Sequence, residues 1–582
     1  MVLLTPSTWS GVGGCLFPFL KGQGEVAAQS LSQNSISTIA QSDPLIITGA
    51  VGTQNTYYHS SLGNGYRSPW ANSLYANLNV SLYGISMPFA FYYSNNNSSF
   101  NYPHISFHID PTYKNWRGHF GRSNMAMSSY IMNMSFNGIG LEYTTADMRF
   151  GAFYGNLRNA VNDDPSNPAA RSPQYRRLGW GFKAGYGKGL NYIDLYFLRA
   201  YDQSSSLAPE WQNRVSPQDN VAIALRGGLG LTRWLSLRGN LAFTTFSTDK
   251  RAERVHTTQL DRWDKVFEAR YTSMMRIATD VSANISLPNF NTSLFYRMVQ
   301  PDYTTLGLYY TANNYQSVGI NVSTNLFRKV ALMATFSGQE DNITRNQLYT
   351  TRGFVYNASA SASLSRNLQL SVGYNGYRQV QSDGKAHVND TTRINRIMHS
   401  LYVTPSYTLD RDNVSHVLSL TGNFTKNKDL NDFATGISDV TTLAIGASHS
   451  LDVKPWEMSF TTSLSHQQSD GYQTRYTSDV LSLSTGRSFL KEKNLNTAAT
   501  LSLCYNDIKN QQRNLSIGFD LSAGYVLNKV HVFSLGAGFN KYSDTNITAD
   551  NSSMGTTEVT LSLGYNYTFS LLEIKRKRTE QR

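Results

Sequence analysis

The sequence predicts an all-β protein, a transmembrane up-and-down antiparallel β-barrel of about 26 strands, within a range of roughly 22 to 28. Three observations predict it: two-residue alternation of apolar and small polar side chains, connectors that alternate between short and long, and a composition poor in charge but rich in aromatics.

Side chains on a strand point to opposite faces in turn, so a lipid-exposed barrel strand carries apolar residues at every second position. From Val559 to Phe569 every odd position is apolar or aromatic and every even one is Thr, Ser, Gly or Asn. A tilted strand needs about that length, roughly eleven residues, to cross the hydrocarbon core. Leu515 to Tyr525, Ile277 to Leu287 and Leu74 to Leu82 repeat the pattern. A soluble sandwich also alternates, because one of its faces meets water, so connector length has to decide. The short connectors include Thr232-Arg233-Trp234, Pro288-Asn289-Phe290, Phe327-Arg328-Lys329 and Asn528-Lys529. Between them lie longer polar ones, such as Ser247 to Met274, Gln300 to Gln316, Gly338 to Thr351, Gln467 to Asp479 and Asn506 to Asn514. Short periplasmic turns and long extracellular loops in strict alternation are the habit of outer-membrane barrels, and Greek-key sandwiches have no reason to keep it.

Charged residues make up 15% of the 582 residues and aromatics 12%, with 36 Tyr. Cytosolic chains carry nearer a quarter charged residues. Mean hydropathy is -0.37, and no apolar run is long enough to span as a helix, so a membrane passage has to use strands. Cys15 and Cys504 are the two cysteines, which leaves neither a disulfide framework nor a metal-binding spacing. The net charge of +12 suits nucleic acid, anionic lipid or an anion-attracting pore. Because the basic residues are spread over turns, tail and one strand face, nucleic acid is not expected as a partner.

The expected organisation is a lead of residues 1–34, one barrel over residues 35–570, and a basic periplasmic tail over residues 571–582. The lead reads as the remnant of an export signal, with an apolar stretch Gly14 to Leu20 that no Lys or Arg precedes. Candidate strands in the less regular N-terminal third run from Leu45 to Tyr58 through to Asn191 to Tyr201, with His104 to Tyr113 among them. Residues 124–136, with four Met and no alternation, are expected to leave the wall, as a partial plug in the lumen or an extra hairpin at the rim. The tail, Lys575-Arg576-Lys577-Arg578, is either a solvated end or a docking signal.

Enzyme motifs are absent: no phosphate-binding Gly-rich loop, no Gly-x-Ser-x-Gly elbow, no His-Glu-x-x-His. The expectation is no catalytic residue, no cofactor and no metal, with His119, His256, His399, His416, His449 and His466 read as rim or loop histidines.

Trp116-Arg117-Gly118-His119-Phe120-Gly121-Arg122, Gly138 to Tyr143, Met148 to Gly155 and Gly179 to Gly187 resemble a group of large Bacteroidota outer-membrane β-barrel proteins of mostly unassigned function. The resemblance covers roughly Leu74 to Asp202; beyond it only the barrel rhythm is shared. It implies location and fold, with an association with export or assembly machinery, and no catalytic residue.

On the polar parity, which faces the lumen of such a barrel, lie Arg149, Lys183, Asp194, Arg226, Arg238, Arg276, Asp280 and Asp520, together with Glu558. A ring of Arg and Lys there selects anions; alternatively these charges pair across strands and brace the wall. A bore of about 26 strands exceeds that of a 16- to 18-stranded porin, so something is expected to fill it: Ser247 to Met274, Gln300 to Gln316, the Met-rich segment or another protein. The expected function is therefore porin-like or gated passage of polar or anionic solutes, or else a non-conducting barrel subunit of an outer-membrane secretion or assembly complex. The partners implied are outer-membrane lipid and lipopolysaccharide, the barrel assembly machinery through the C-terminal strand ending at Phe569, and other outer-membrane or periplasmic proteins.

Overall fold

The computed structural model describes residues 45–63, 68–95, 105–162, 172–256, 265–433, 436–490, 492–546 and 553–574. The lead of residues 1–34 and the basic run Lys575 to Arg578 lie outside the described residues. One antiparallel sheet uses all the strands. Its first part holds β1 (Leu45–Ser60), β2 (Trp70–Leu82), β3 (Ile85–Ser94), β4 (Ile105–Ile109), β5 (Thr112–Tyr113), β6 (Trp116–Ser123) and β7 (Phe136–Thr144). It continues with β8 (Met148–Arg158), β9 (Arg177–Lys188), β10 (Asn191–Asp202), β11 (Asp219–Gly230), β12 (Leu235–Ser247), β13 (Ser273–Leu287) and β14 (Phe290–Val299). Next come β15 (Tyr315–Leu326), β16 (Val330–Asp341), β17 (Tyr349–Ser363), β18 (Leu368–Asp383), β19 (Asn395–Asp410), β20 (Val414–Asp429) and β21 (Val440–Val453). Last are β22 (Met458–Gly471), β23 (Thr474–Phe489), β24 (Leu495–Ile508), β25 (Gln512–Leu527), β26 (His531–Asn546) and β27 (Ser553–Ile574).

The sheet closes on itself by hydrogen bonding: β1 pairs antiparallel with β27, from Ser60 opposite Glu558 to Leu45 opposite Ile574. β4 and β5 both lie between β3 and β6, so they form one interrupted stave. Counted that way the 27 strands make 26 staves, an even number, which lets the first and last meet antiparallel. The interruption falls at Asp110-Pro111, where proline has no N–H to give the ladder.

The alternation read from the sequence sorts the two faces. Ile139, Leu294, Leu464 and Leu563 stand on one parity and are more than half exposed. Facing water, such a continuous apolar band would be costly; against acyl chains it is the favourable state. That band therefore marks the outside of a transmembrane barrel. Tight ends of the hairpins carry left-handed residues: Tyr83-Gly84, a two-residue loop, and Phe327-Arg328 and Asn528-Lys529, in three-residue loops, all have positive φ.

Several strands outrun the sequence reading. β22 and β23 are separated by Tyr472-Gln473 alone, and β24 and β25 by residues 509–511, so the long loops expected at Gln467 to Asp479 and Asn506 to Asn514 are mostly ladder. Backbone pairing is indifferent to side-chain polarity, so polar residues extend a strand past the apolar band into water. The stave expected over His104 to Tyr113 is instead broken, as described.

Candidate functional site

The inner face divides into two unlike arcs. Over β8 to β13 its residues are Phe153 and Leu157, Tyr196, Leu198 and Ala200, Ala222 and Ala224, Ala242 and Phe246, and Ala278, all buried. Small or apolar side chains on a face that ought to meet water need a cover. Two segments supply it: residues 124–136, between β6 and β7, and residues 300–314, between β14 and β15. Met125, Tyr130, Ile131, Met132, Met134, Tyr303 and Leu306 join the same buried cluster as those wall residues.

The two segments are tied to each other before they are tied to the wall. Met132 and Gly307 form a parallel β-bridge, and the N–H groups of Asn133 and Met134 both donate to the Gly307 carbonyl. Tyr303 donates its hydroxyl to the Tyr130 carbonyl at 2.9 Å, and burial pushes that phenol up, keeping it a neutral donor. A side chain at Gly307 would strike the Ile131 carbonyl and Leu198, so only glycine permits this approach. The wall then reads the insert with polar groups: Ser128 donates to Asn240, Thr244 to the Thr304 carbonyl, and the Leu306 N–H to Asn220. Asn220 and Thr244 are themselves fully buried and bonded to each other. Buried polar groups with all partners in place fix one arrangement.

The sequence-derived residues fall on the inner parity but do not form a ring. Arg149, Lys183, Arg226, Arg238 and Arg276 stand on β8, β9, β11, β12 and β13, all on the covered arc. Arg149 lies 2.9 Å from Asp194 and donates to the Gly187 carbonyl; Gly185 beside them leaves the room, since a Cβ there would overlap the Asp194 carboxylate. Arg149 and Arg226 flank the ring of Tyr192 at 5.7 and 5.8 Å. Lys183 bonds Glu142 at 2.9 Å and reaches the Ala126 carbonyl of the insert. Arg276 donates to the Pro301 carbonyl and faces Asp302, so it holds the second segment. Asp280 stands opposite Arg297 in the register, beside the Tyr130 hydroxyl, which burial and the Asp280 charge push up. Arg238 is exposed and has no ion-pair partner among the described residues. The anion-attracting ring expected from these residues is therefore not assembled, because their charges sit together on one arc and most are spent on carboxylates, carbonyls or an aromatic face.

The second arc, from β15 round to β3, is different. Its inner parity reads Ser317, Asn321, Ser359, Asn375, Ser463 and Ser482, with neither segment over it among the described residues. Met333, on this face, is 62% exposed. Two of its acidic groups have no ion-pair partner among the described residues: Asp520 is exposed, and Glu558 accepts from the Tyr58 hydroxyl at 2.8 Å. Sequence reasoning missed Glu142, the partner of Lys183, and Asn220, the anchor of the insert. Glu142 lies on the inner parity of a recognised strand and was detectable; Asn220 becomes distinctive only when a second segment 86 positions away lands on it.

Histidines expected at rims or in loops stand mostly in the wall. His119 is buried on the inner face, its Nδ1 3.2 Å from Asp110 and its Nε2 3.9 Å from Glu142. His399, His416, His449 and His466 share the outward parity of their strands. Among the described residues no cluster of His, Cys, Asp or Glu is placed to hold a metal ion.

No protein-family model matches the chain, and no curated protein matches its sequence. Solved structures similar to it include the P pilus usher PapC translocation pore, with 10% identity over 90% of this chain and 100% of that one, at a TM-score of 0.33. Pseudomonas aeruginosa OccK9 (OpdG) matches with 9% identity over 90% of this chain and 98% of its own, TM-score 0.30. Acinetobacter baumannii OccAB2 matches with 12% identity over 65% and 96%, TM-score 0.29.

Proposed function

We propose that the protein is an integral outer-membrane barrel that passes polar solutes along its uncovered inner arc, beside a fixed two-segment insert, and favours cationic and neutral solutes over anions. A regular cylinder of 26 staves about 4.8 Å apart and tilted about 40° measures roughly 50 Å between backbones. Two segments of about 15 residues each, laid against one arc, narrow such a bore without closing it. The observation that carries the reading is the division of charge: most basic residues of the covered arc are tied, whereas on the open arc Asp520 and Glu558 have no ion-pair partner among the described residues and the inward Arg396 stands opposite Asp429 in the register. Carboxylates lining a water-filled pore raise local cation concentration.

The test is single-channel recording of the purified protein in planar bilayers under a KCl gradient. The expected result is a stable conductance with a reversal potential of cation-preferring sign. A silent barrel that co-purifies with other outer-membrane proteins would overturn passage in favour of a non-conducting subunit of a secretion or assembly complex.

A further inference from the structure

We infer that the outward wall over β18 to β23 holds lipopolysaccharide, with its phosphates on Arg378, Lys426 and Lys428 and its acyl chains in the groove beneath and beside them. The inference rests on the transmembrane barrel and its orientation, not on conduction through the lumen.

The register places the cations. Phe354, Arg378, Ile397 and Lys428 lie in one row across β17 to β20, and the row below it holds Tyr356, Gly376, His399 and Lys426. Both rows share the parity of Leu401 and Phe424, which are exposed on the outside of the wall. With strands about 4.8 Å apart and about 6.6 Å between same-face residues, the three cations span a patch on the order of 10 Å. Lys426 and Lys428 are within the last four residues of β20 on the long-loop side, the level of the outer-leaflet headgroups.

Neighbouring charges on this face are satisfied and these are not. Arg352 is held by Glu340 at 3.2 Å, and Asp470, in the row of Lys426, is held by Arg475. Arg378, Lys426 and Lys428 are exposed and have no ion-pair partner among the described residues. Cations at the edge of a hydrocarbon layer have one abundant counter-charge available, the lipid phosphate. Beneath them Tyr356 and Tyr374 stack with ring centroids 6.1 Å apart, and the Tyr374 hydroxyl meets His399. Amphipathic rings at this level mark the boundary between headgroup and acyl chain.

Toward the middle of the same wall lies a groove of about 800 Å³, lined by Val403, Pro405, Leu420, Ile445, Leu464 and Leu481, with the paired His466 and Asp479 in its upper row. These residues belong to the outward rows two and three steps below Lys426. Gly422, at its floor on the outward parity, removes a side chain that would fill it. A ligand with phosphate at one end and several saturated chains at the other matches this succession of cations, aromatic shelf and apolar trough; a glycerophospholipid matches it less fully, having one phosphate for three cations.

The experiment is native mass spectrometry of the full-length protein in detergent, titrated separately with bisphosphorylated lipid A, dephosphorylated lipid A and phosphatidylglycerol. The expected result is preferential retention of bisphosphorylated lipid A, reduced on the order of 100-fold in Arg378→Ala/Lys426→Ala/Lys428→Ala, since each cation near the surface contributes roughly fivefold. Arg328→Ala/Lys329→Ala, at the opposite end of the wall, should leave retention unchanged, and heat-modifiable gel mobility reports that each variant is folded. Equal retention of bisphosphorylated and dephosphorylated lipid A, undiminished retention by the folded triple variant, or equal retention of phosphatidylglycerol overturns the assignment. A channel-silent protein that still shows the phosphate-dependent loss leaves it standing.

Discussion

Thr305 donates its hydroxyl to the carbonyl of Ile131, 174 positions earlier in the chain, at 2.7 Å, with both groups buried. One bond of this kind contributes about 1 kcal/mol net, but leaving its buried partner unpaired costs about 1–3 kcal/mol. Together with the Met132–Gly307 bridge it makes residues 124–136 and 300–314 a single insert rather than two loops that enter independently.

The insert should therefore come away as a unit. In a Cys15→Ser/Cys504→Ser background, a thiol introduced as Ile131→Cys should resist a water-soluble maleimide, because Ile131 is 0% exposed. Adding Gly307→Val, which drives a side chain into the Ile131 carbonyl and Leu198, should make that thiol react. The labelling rate checks it, and an unchanged rate would show that the segments dock separately.

Arg149 and Asp194 should be coupled beyond the sum of their single effects. Both are more than two thirds shielded from water, and charge-assisted hydrogen bonds of this kind contribute about 1.5–3 kcal/mol. Urea unfolding of Arg149→Ala, Asp194→Ala and the double variant in detergent should give a coupling of about 2 kcal/mol. Asp194→Ala is expected to be the more damaging single change, since it leaves the shielded guanidinium without its carboxylate.

Reversing charge on the open arc should change ion preference, while reversing it on the covered arc should not. Asp520→Lys should move the reversal potential under a KCl gradient toward anions. Arg226→Glu, beside the Tyr192 ring under the insert's arc, should leave it near the wild-type value. The opposite ranking would place the ion path on the covered side.

Acid should loosen the connector after β12 only at extreme pH. The Arg251 side chain, held against Asp249 at 2.9 Å, keeps that carboxyl down at about 2, and the Arg251 N–H donates to the same group. A carboxylate with a lowered folded pKa contributes stability above its unfolded value near 4, lost as pH falls through about 2. Hydrogen exchange at the Arg251 amide, corrected for intrinsic rates, should show protection constant from pH 7 to about 4 and falling toward pH 2. Asp249→Asn should abolish that dependence.

Periodicity made the wall legible before any coordinates, because on a strand the face of a residue is fixed by parity alone. Val559 to Phe569, Leu515 to Tyr525 and the shared parity of Arg149, Lys183, Asp194, Arg226, Arg238, Arg276, Asp280 and Asp520 all follow from counting by twos. The two-residue joint at Tyr472-Gln473 was not legible, since polar side chains there are compatible with loop and with ladder alike. Nor was the loss of the anion-selecting ring, because charge at a parity position does not reveal what stands opposite it.

The chain alone determined a barrel, its approximate strand number and its inward and outward sets, all local consequences of alternation and strand length. Tertiary structure decided which arc is covered, which charges are spent and where free carboxylates remain, because Ala222, Ala224 and Asn220 acquire meaning only when Leu306, far along the chain, is folded back upon them. Contacts between segments that distant depend on register and curvature around the whole closed sheet, and no local pattern of residues encodes them.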